Sequence, residues 1–384
     1  MKEAVQREKG QEAFSLLGTD AAIDLGTSRT RIYLPQQGVV IDEPSVVAVD
    51  NMTEEIIAIG QEAYEMVGRT SQRLTVTYPL VNGVISNFIL VEQMVGYFLK
   101  KVSSSMVFMP RVVACIPGEV TEVEKRAVVN SISTAGVRKI CLIEEPIAAA
   151  MGAGIDIFTP HGSLVVDIGG GTTDMAVVSL GGVSTMRSVK LAGTHFDEAI
   201  IKYMRRKYNL IIGQKTAENA KTAIGCVYPK EELSYYVMKG RNGLSGLPQA
   251  VTVSSDEMLE CLVECGMQIA REVQDMLEET QPELVADIYA EGIVLTGGSA
   301  RLYGFDNLIA KKTKLPVHVA ENPDHCVVLG AGKGLEYIDK MDQNRTPQIV
   351  CAGYCHTHCD SDIGKCKSRS IINSIANHSD MFST

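Results

Sequence analysis

At 384 residues, the chain has room for two large domains at the usual ~150 residues or so each. With 45% hydrophobic and 21% charged residues, it can bury a sizeable core, which excludes disorder or a fibrous repeat as its main character. Lys and Arg number 36 against 46 Asp and Glu, a net charge of −10, so a nucleic-acid partner is not expected, because phosphate contacts need a basic face.

The first residues mix charges without an apolar signal core, and no apolar stretch nears the ~20 residues of a membrane span, so a cytoplasmic protein is expected. Residues 1–20 read as an N-terminal segment, amphipathic around Phe14, Leu16 and Leu17. Segments 21–24 and 30–34 flank a Gly-Thr-Ser turn and predict a hairpin, with further strands at 39–41 and 45–49. Phe88, Val91, Met94, Val95, Phe98 and Leu99 recur at helical spacing within 85–102. A strand over 111–116, a helix over 121–135 and a strand over 139–143 follow, and then a helix opened by Pro146, a residue favoured in first turns.

The second half restarts the scheme. A strand over 164–167 runs into Gly169, Gly170 and Gly171, and a strand over 174–180 leaves them. Helices follow over 195–208, with Thr194 as N-cap, and over 258–279. A strand over 292–295 ends in Thr296-Gly297-Gly298. Past Lys340 the periodicity stops, and a polar tail carries Cys351, Cys355, Cys359, Cys366, His356 and His358. These residue types suit a soft metal, but the tail lacks the Cys-x2-Cys pair of common zinc modules, so it stays out of the candidate site. The remaining six cysteines are expected as reduced core residues.

Asp24-Leu-Gly-Thr recurs as Asp167-Ile-Gly-Gly-Gly-Thr, each between apolar strands. The duplication predicts two similar α/β halves facing one another across a cleft. Glycine turns let backbone N–H groups converge on phosphate oxygens, so Gly26, Thr27 and Ser28 would clasp a phosphate from one side and Gly169 to Thr172 from the other. Asp24 and Asp167 would hold Mg²⁺ between them through its waters. Glu145, at a strand's end before the Pro146 helix, is placed to orient an attacking water. Gly297, Gly298, Ser299 and Ala300 would admit a flat base. Glu218 and Lys221, three apart on one helix face with Asn219 and Ala220 between them, read either as a solvated ion pair or as a ribose and adenine clamp.

These segments, IDLGTSRTRIY, LIEEPIAAAMGAGI, VVDIGGGTTDMAVVSLGGV, FDEAIIKYMRRKYNLIIG, AENAKTAIG and LTGGSARLYGFDNLI among them, resemble the bacterial actin family MreB, within the actin, sugar-kinase and DnaK-type chaperone superfamily. The resemblance implies an actin-like ATPase fold with a nucleotide cleft between two halves. The first half would span 21–158 with a small subdomain near 47–78, and the second 159–324 with one near 192–264. A C-terminal helix over 325–340 would return to the first half, and 341–384 would be the tail. It further implies a weak ATPase that takes Mg²⁺ and ATP and no other small-molecule substrate. Such a protein polymerises into paired protofilaments, lies on the inner membrane surface through Val107 and Phe108, meets cell-elongation membrane proteins, organises wall synthesis and sets rod shape. By position, Arg29 joins Thr27 and Ser28 on the phosphates, and Thr172 joins Glu145 on the water. Arg29, Ser299 and Ala223 depart from the family's usual Asn, Gly and Glu. A small-molecule kinase or an organelle- or plasmid-positioning filament on the same fold is the alternative reading.

Overall fold

Small and apolar residues let β1 (Ala21–Leu25) bury both of its faces, as a strand inside a covered sheet must. This computed structural model describes residues 20–103, 110–337 and 350–352. β1 pairs antiparallel with β2 (Arg29–Leu34), and β2 with β3 (Gly38–Pro44). The chain then leaves that sheet to build a small one from β4 (Val47–Asp50), β5 (Ile56–Ile59) and β6 (Leu74–Thr77), which carries the short helix α1 (Gln61–Glu65). A hairpin of β7 (Leu80–Val81) and β8 (Val84–Ile85) leads to α2 (Phe88–Ser103). β9 (Arg111–Ile116), α3 (Glu122–Ser133), β10 (Lys139–Glu144) and α4 (Glu145–Gly152) complete this half, β9 pairing parallel with β1 and β10 parallel with β9. Thr121 and Glu124 close the first turn of α3 reciprocally, and Pro146 occupies the first turn of α4.

The second half is β11 (Ser163–Ile168), β12 (Thr173–Ser179), β13 (Gly182–Val189), α5 (Gly193–Tyr208), β14 (Leu210–Ile211), α6 (Gln214–Ile224), β15 (Tyr235–Asn242), β16 (Pro248–Ser254), α7 (Ser255–Glu279), α8 (Pro282–Glu291), β17 (Ile293–Thr296), α9 (Phe305–Thr313) and β18 (Val317–Val319), after which α10 (Cys326–Gly334) returns to pack on α4, β1 and β9 of the first half. Its main sheet runs β13-β12-β11-β17-β18, and the first runs β3-β2-β1-β9-β10. In both, the strand that ends in the aspartate has an antiparallel neighbour on one side and a parallel one on the other. The sequence echo is thus a duplication of topology. The second small sheet is β14-β15-β16.

Between the two main sheets lie α4 and α10. Ile147 to Met151 and Val327 and Ala331 share one apolar cluster with Val113 and Ile143 of the first sheet and Val165 and Ala176 of the second. The helices cross at glycine: a Cβ on Gly330 would collide with the Ala148 carbonyl, and one on Gly152 with the Cys326 carbonyl.

Three local expectations change. α5 starts before Thr194, because the amides of Gly193 and Thr194 bond the carbonyls of Gly169 and Gly170 at 3.2 and 2.8 Å, which replaces a side-chain cap. In the polar tail, β19 (Val350–Ala352) adds antiparallel to β10, setting Cys351 opposite Cys141. Cys141 is disulfide-bonded, contrary to the expected reduced state, whereas Cys115, Cys226, Cys261, Cys265 and Cys326 are free. Cys355, Cys359, Cys366, the two tail histidines, Val107, Phe108 and the Phe14 cluster lie outside the described residues. No helix among the described residues is long and apolar enough to cross a membrane.

Candidate functional site

The two aspartate-ending strands deliver their acids into one cavity of about 430 Å³ between the halves. Asp24 is 5% exposed, Asp167 4% and Glu145 8%. Arg31 donates from Nη1 to Asp24 Oδ2 at 3.4 Å, and Thr296 donates from Oγ1 to Asp167 Oδ1 at 2.7 Å. Burial raises the Asp24 carboxyl above its ordinary range despite Arg31. Burial, with the charges of Asp174 and Asp24, pushes Asp167 up to about 7 against the Thr296 hydrogen bond. Glu145 is pushed well up by burial and by the charges of Asp174, Asp24 and Asp167. Asp174 is fully buried and accepts from the Gly118 amide of the other half at 2.9 Å.

Four buried carboxylates thus gather with one guanidinium directly on them. That excess of negative charge fits a divalent cation between Asp24 and Asp167. Among the described residues no group of three or more His, Cys, Asp or Glu side chains is arranged to hold a metal directly, so the ion would be held through its waters.

Above the acids the two glycine turns touch. A Cβ on Gly170 would collide with the Ser28 side chain, and one on Gly171 would sit 2.5 Å from Thr27 Oγ1. Only glycine permits this approach of the two turns. Thr27 Oγ1 accepts from the Gly83 amide at 2.8 Å, and the Gly169 amide bonds the Thr172 carbonyl at 3.0 Å. Arg29 lines the cavity but is committed elsewhere. It donates from Nε to Asp42 Oδ1 and from Nη2 to the Asp42 carbonyl, both at 2.6 Å. His325 Nε2 lies 3.2 Å from Asp42 Oδ2 and Arg31 Nε 3.2 Å from Oδ1. Burial would raise the Asp42 carboxyl, but the Arg29 hydrogen bond and the Arg31 charge outweigh it and hold it low.

The far wall comes from α5, α6 and the turn after β17. Lys221 donates to the Gly193 carbonyl and lies 2.8 Å from Asp197 Oδ1. Glu218 accepts from the Tyr64 hydroxyl at 2.6 Å. The two therefore share a face of α6 without pairing with each other. Burial pushes Asp197 up to about 6, against the opposing charge of Lys221. Ser299 donates to the Gly169 carbonyl at 2.7 Å, joining the β17 turn to the phosphate-side turn.

Gly26, Thr27, Ser28, Arg29, Gly169, Gly170, Gly171, Thr172, Glu218, Lys221, Gly297, Gly298 and Ser299 line this cavity with Asp24, Asp167 and Glu145. Three predicted residues do not. Asn219 is exposed, and Ala220 and Ala300 belong to the second half's apolar core. The cavity also takes Tyr64, Phe196, Asp197, Tyr303 and Asp324, which sequence reasoning did not single out. Asp197 carried one usable signal, an acid in the second turn of a helix that starts at a glycine.

Comparison with known proteins agrees with this architecture. A family model described as MreB/Mbl protein matches residues 18–343. The cell shape-determining protein Mbl of Bacillus cereus is 44% identical over 327 residues, covering 85% of this chain and 98% of that protein. The cell shape-determining protein MreB of Escherichia coli is 46% identical over 331 residues, 84% of this chain and 95% of that one. The crystal structure of MreB5 of Spiroplasma citri bound to ADP superposes with a TM-score of 0.82 at 37% identity, covering 85% and 99% of the two chains. The same protein bound to AMPPNP gives 0.80. The MamK double helical filament, at 20% identity and a TM-score of 0.71, shares the fold.

Proposed function

The chain belongs to the MreB/Mbl family and has its actin-like α/β fold, and from that premise we propose that it is an ATP-driven, filament-forming cytoskeletal protein that determines cell shape. One observation carries the nucleotide part of this reading: two glycine turns, one from each half, meet above two buried aspartates that face the same cavity. In this reading the amides of residues 26–28 and 170–172 hold the β- and γ-phosphates, while the Gly169 amide closes its own turn on the Thr172 carbonyl. Mg²⁺ supplies neutralisation of the phosphate charge when bound. Asp24 and Asp167 orient its water shell. Glu145, with its raised affinity for a proton, takes the proton of the attacking water that Thr172 helps position. Lys221, Glu218 and the Gly297–Ser299 turn hold the nucleoside, with Lys221 fixed by Asp197. Arg29, bound to Asp42, borders the phosphates without directing its charge at them.

Assembly, a weak polymerisation-coupled ATPase, attachment to the inner membrane surface through Val107 and Phe108, contact with cell-elongation membrane proteins and control of wall synthesis belong to the same proposal. The family's relatives, named for determining cell shape, support it. Electron microscopy and pelleting of purified protein with Mg-ATP test it. Filaments are expected from the parent and none from Asp167→Ala. Phosphate transfer to a small acceptor without pelleting would instead favour a kinase. Replacing both Val107 and Phe108 by Ser is expected to reduce liposome co-sedimentation sharply, and undiminished binding would remove that segment from the membrane contact.

A further inference from the structure

Tyr64 stands in α1 on the small sheet of the first half, and Glu218 stands on α6 in the second. The Tyr64 hydroxyl donates to Glu218 Oε2 at 2.6 Å, between residues 154 apart in sequence. The same ring receives Lys215 Nζ at 4.5 Å from its centroid, a cation over an aromatic face. Lys215 and Glu218 are three apart on α6 and so share its surface. One phenol is therefore gripped twice by one helix of the opposite half, by its face and by its oxygen. Its root is firm, since Tyr64 packs with Tyr78 against Val46, Ala48, Ala58 and Ala63. Burial and the Glu218 charge raise the phenol's affinity for its proton, so it remains the donor.

Both Tyr64 and Glu218 line the cavity. A bond between its two walls, backed by the Lys215 contact on the same ring, closes the cleft where α1 meets α6. We propose that the Tyr64–Glu218 bridge is a clasp that must open for nucleotide to enter or leave, so that Tyr64 is a positioning residue setting the exchange rate. This rests on the reading of the cavity as a nucleotide site.

The test uses the full chain, as parent, Tyr64→Phe, Glu218→Gln and the double variant. Tyr64→Phe keeps the ring under Lys215 and removes only the hydroxyl. Release of mant-ADP chased with unlabelled ADP is expected to quicken roughly tenfold in Tyr64→Phe, the scale of one lost hydrogen bond to a charged group. In the double variant it is expected to be no faster than in the faster single one. Two side chains that merely supported the structure separately would give multiplying effects. Hydrogen exchange of ligand-free protein is expected to speed up in both 61–67 and 214–224 in Tyr64→Phe. Release within twofold of the parent, multiplying effects, or faster exchange on one wall alone would each overturn the clasp. A parent that binds no mant-ADP would overturn the nucleotide reading and the exchange role with it. The hydrogen-exchange arm, which needs no nucleotide, still decides whether the bridge joins the walls.

Discussion

A carboxyl group set among three other buried carboxylates, as Glu145 is among Asp24, Asp167 and Asp174, holds a proton far more readily than a free one. A group of this kind acts on the water more than on the ground state. Glu145→Gln is therefore expected to slow phosphate release by roughly 10²–10⁴ while mant-ATP affinity stays within a fewfold. Equal turnover at matched folding would reduce Glu145 to a helix-terminus charge. Asp197 gives a pH signature. Folded, it keeps its proton to about 6, and in the unfolded chain it releases it near ~4. Folding takes up a proton between those values, so its contribution to stability falls as pH rises through that window and is flat above it. Asp197→Asn cannot ionise, so its unfolding free energy relative to the parent should climb by about 2–3 kcal/mol from pH 4 to 6 and then level off. A relative stability independent of pH would contradict this. At this scale the sequence was legible where the chain itself supplies the geometry: a strand that ends in Asp before a glycine turn must present that acid at its end. It was not legible where a fold brings strangers together, as with Tyr64, or where a helix rotates neighbours apart. Residues 218 and 221 face the cavity, while Asn219 faces solvent and Ala220 the core.

Helix α10 meets α4 backbone to backbone because glycine leaves the space. Gly330→Ala puts a methyl into the Ala148 carbonyl, and neither helix can retreat without disturbing the sheet it covers. We expect a loss of at least ~1–3 kcal/mol in urea unfolding, the scale of an overpacked core. Gly96, inside α2, is the converse: a Cβ there meets nothing within 4 Å. Gly96→Ala is expected to stabilise by about 0.5–1 kcal/mol, since alanine loses less conformational entropy in a helix. The long, strongly periodic elements were readable to within a few residues, and β9 falls on the expected 111–116 at both ends. The β14-β15-β16 sheet was not, because its exposed positions include Tyr235, Val237 and Ala250 beside Lys239, Arg241 and Thr252, blurring the alternation. β19 lies in polar sequence and exists through its pairing with β10.

Ligand that touches both halves ties their stabilities together. If Mg-ATP spans the cavity, a hundredfold excess over its dissociation constant should add about 2.7 kcal/mol to unfolding. Calorimetry should then show one sharpened transition at higher temperature. Asp167→Ala should melt alike with and without Mg-ATP. Two separate transitions, only one of them shifted by ligand, would mean that the nucleotide binds a single half.

The crossing of α4 and α10 also has a consequence for synthesis. Cys326 leaves the ribosome 174 residues after Gly152, which at ~5–20 residues per second is about 10–35 seconds. Throughout that interval the nascent first half carries Ile147 to Met151, a strip made for burial on every side, with no lid to cover it. A chain arrested before α10 should therefore be captured by cytosolic chaperones or precipitate. Supplying α10 in trans as a free peptide should not rescue it, because a helix this short is marginal before it docks.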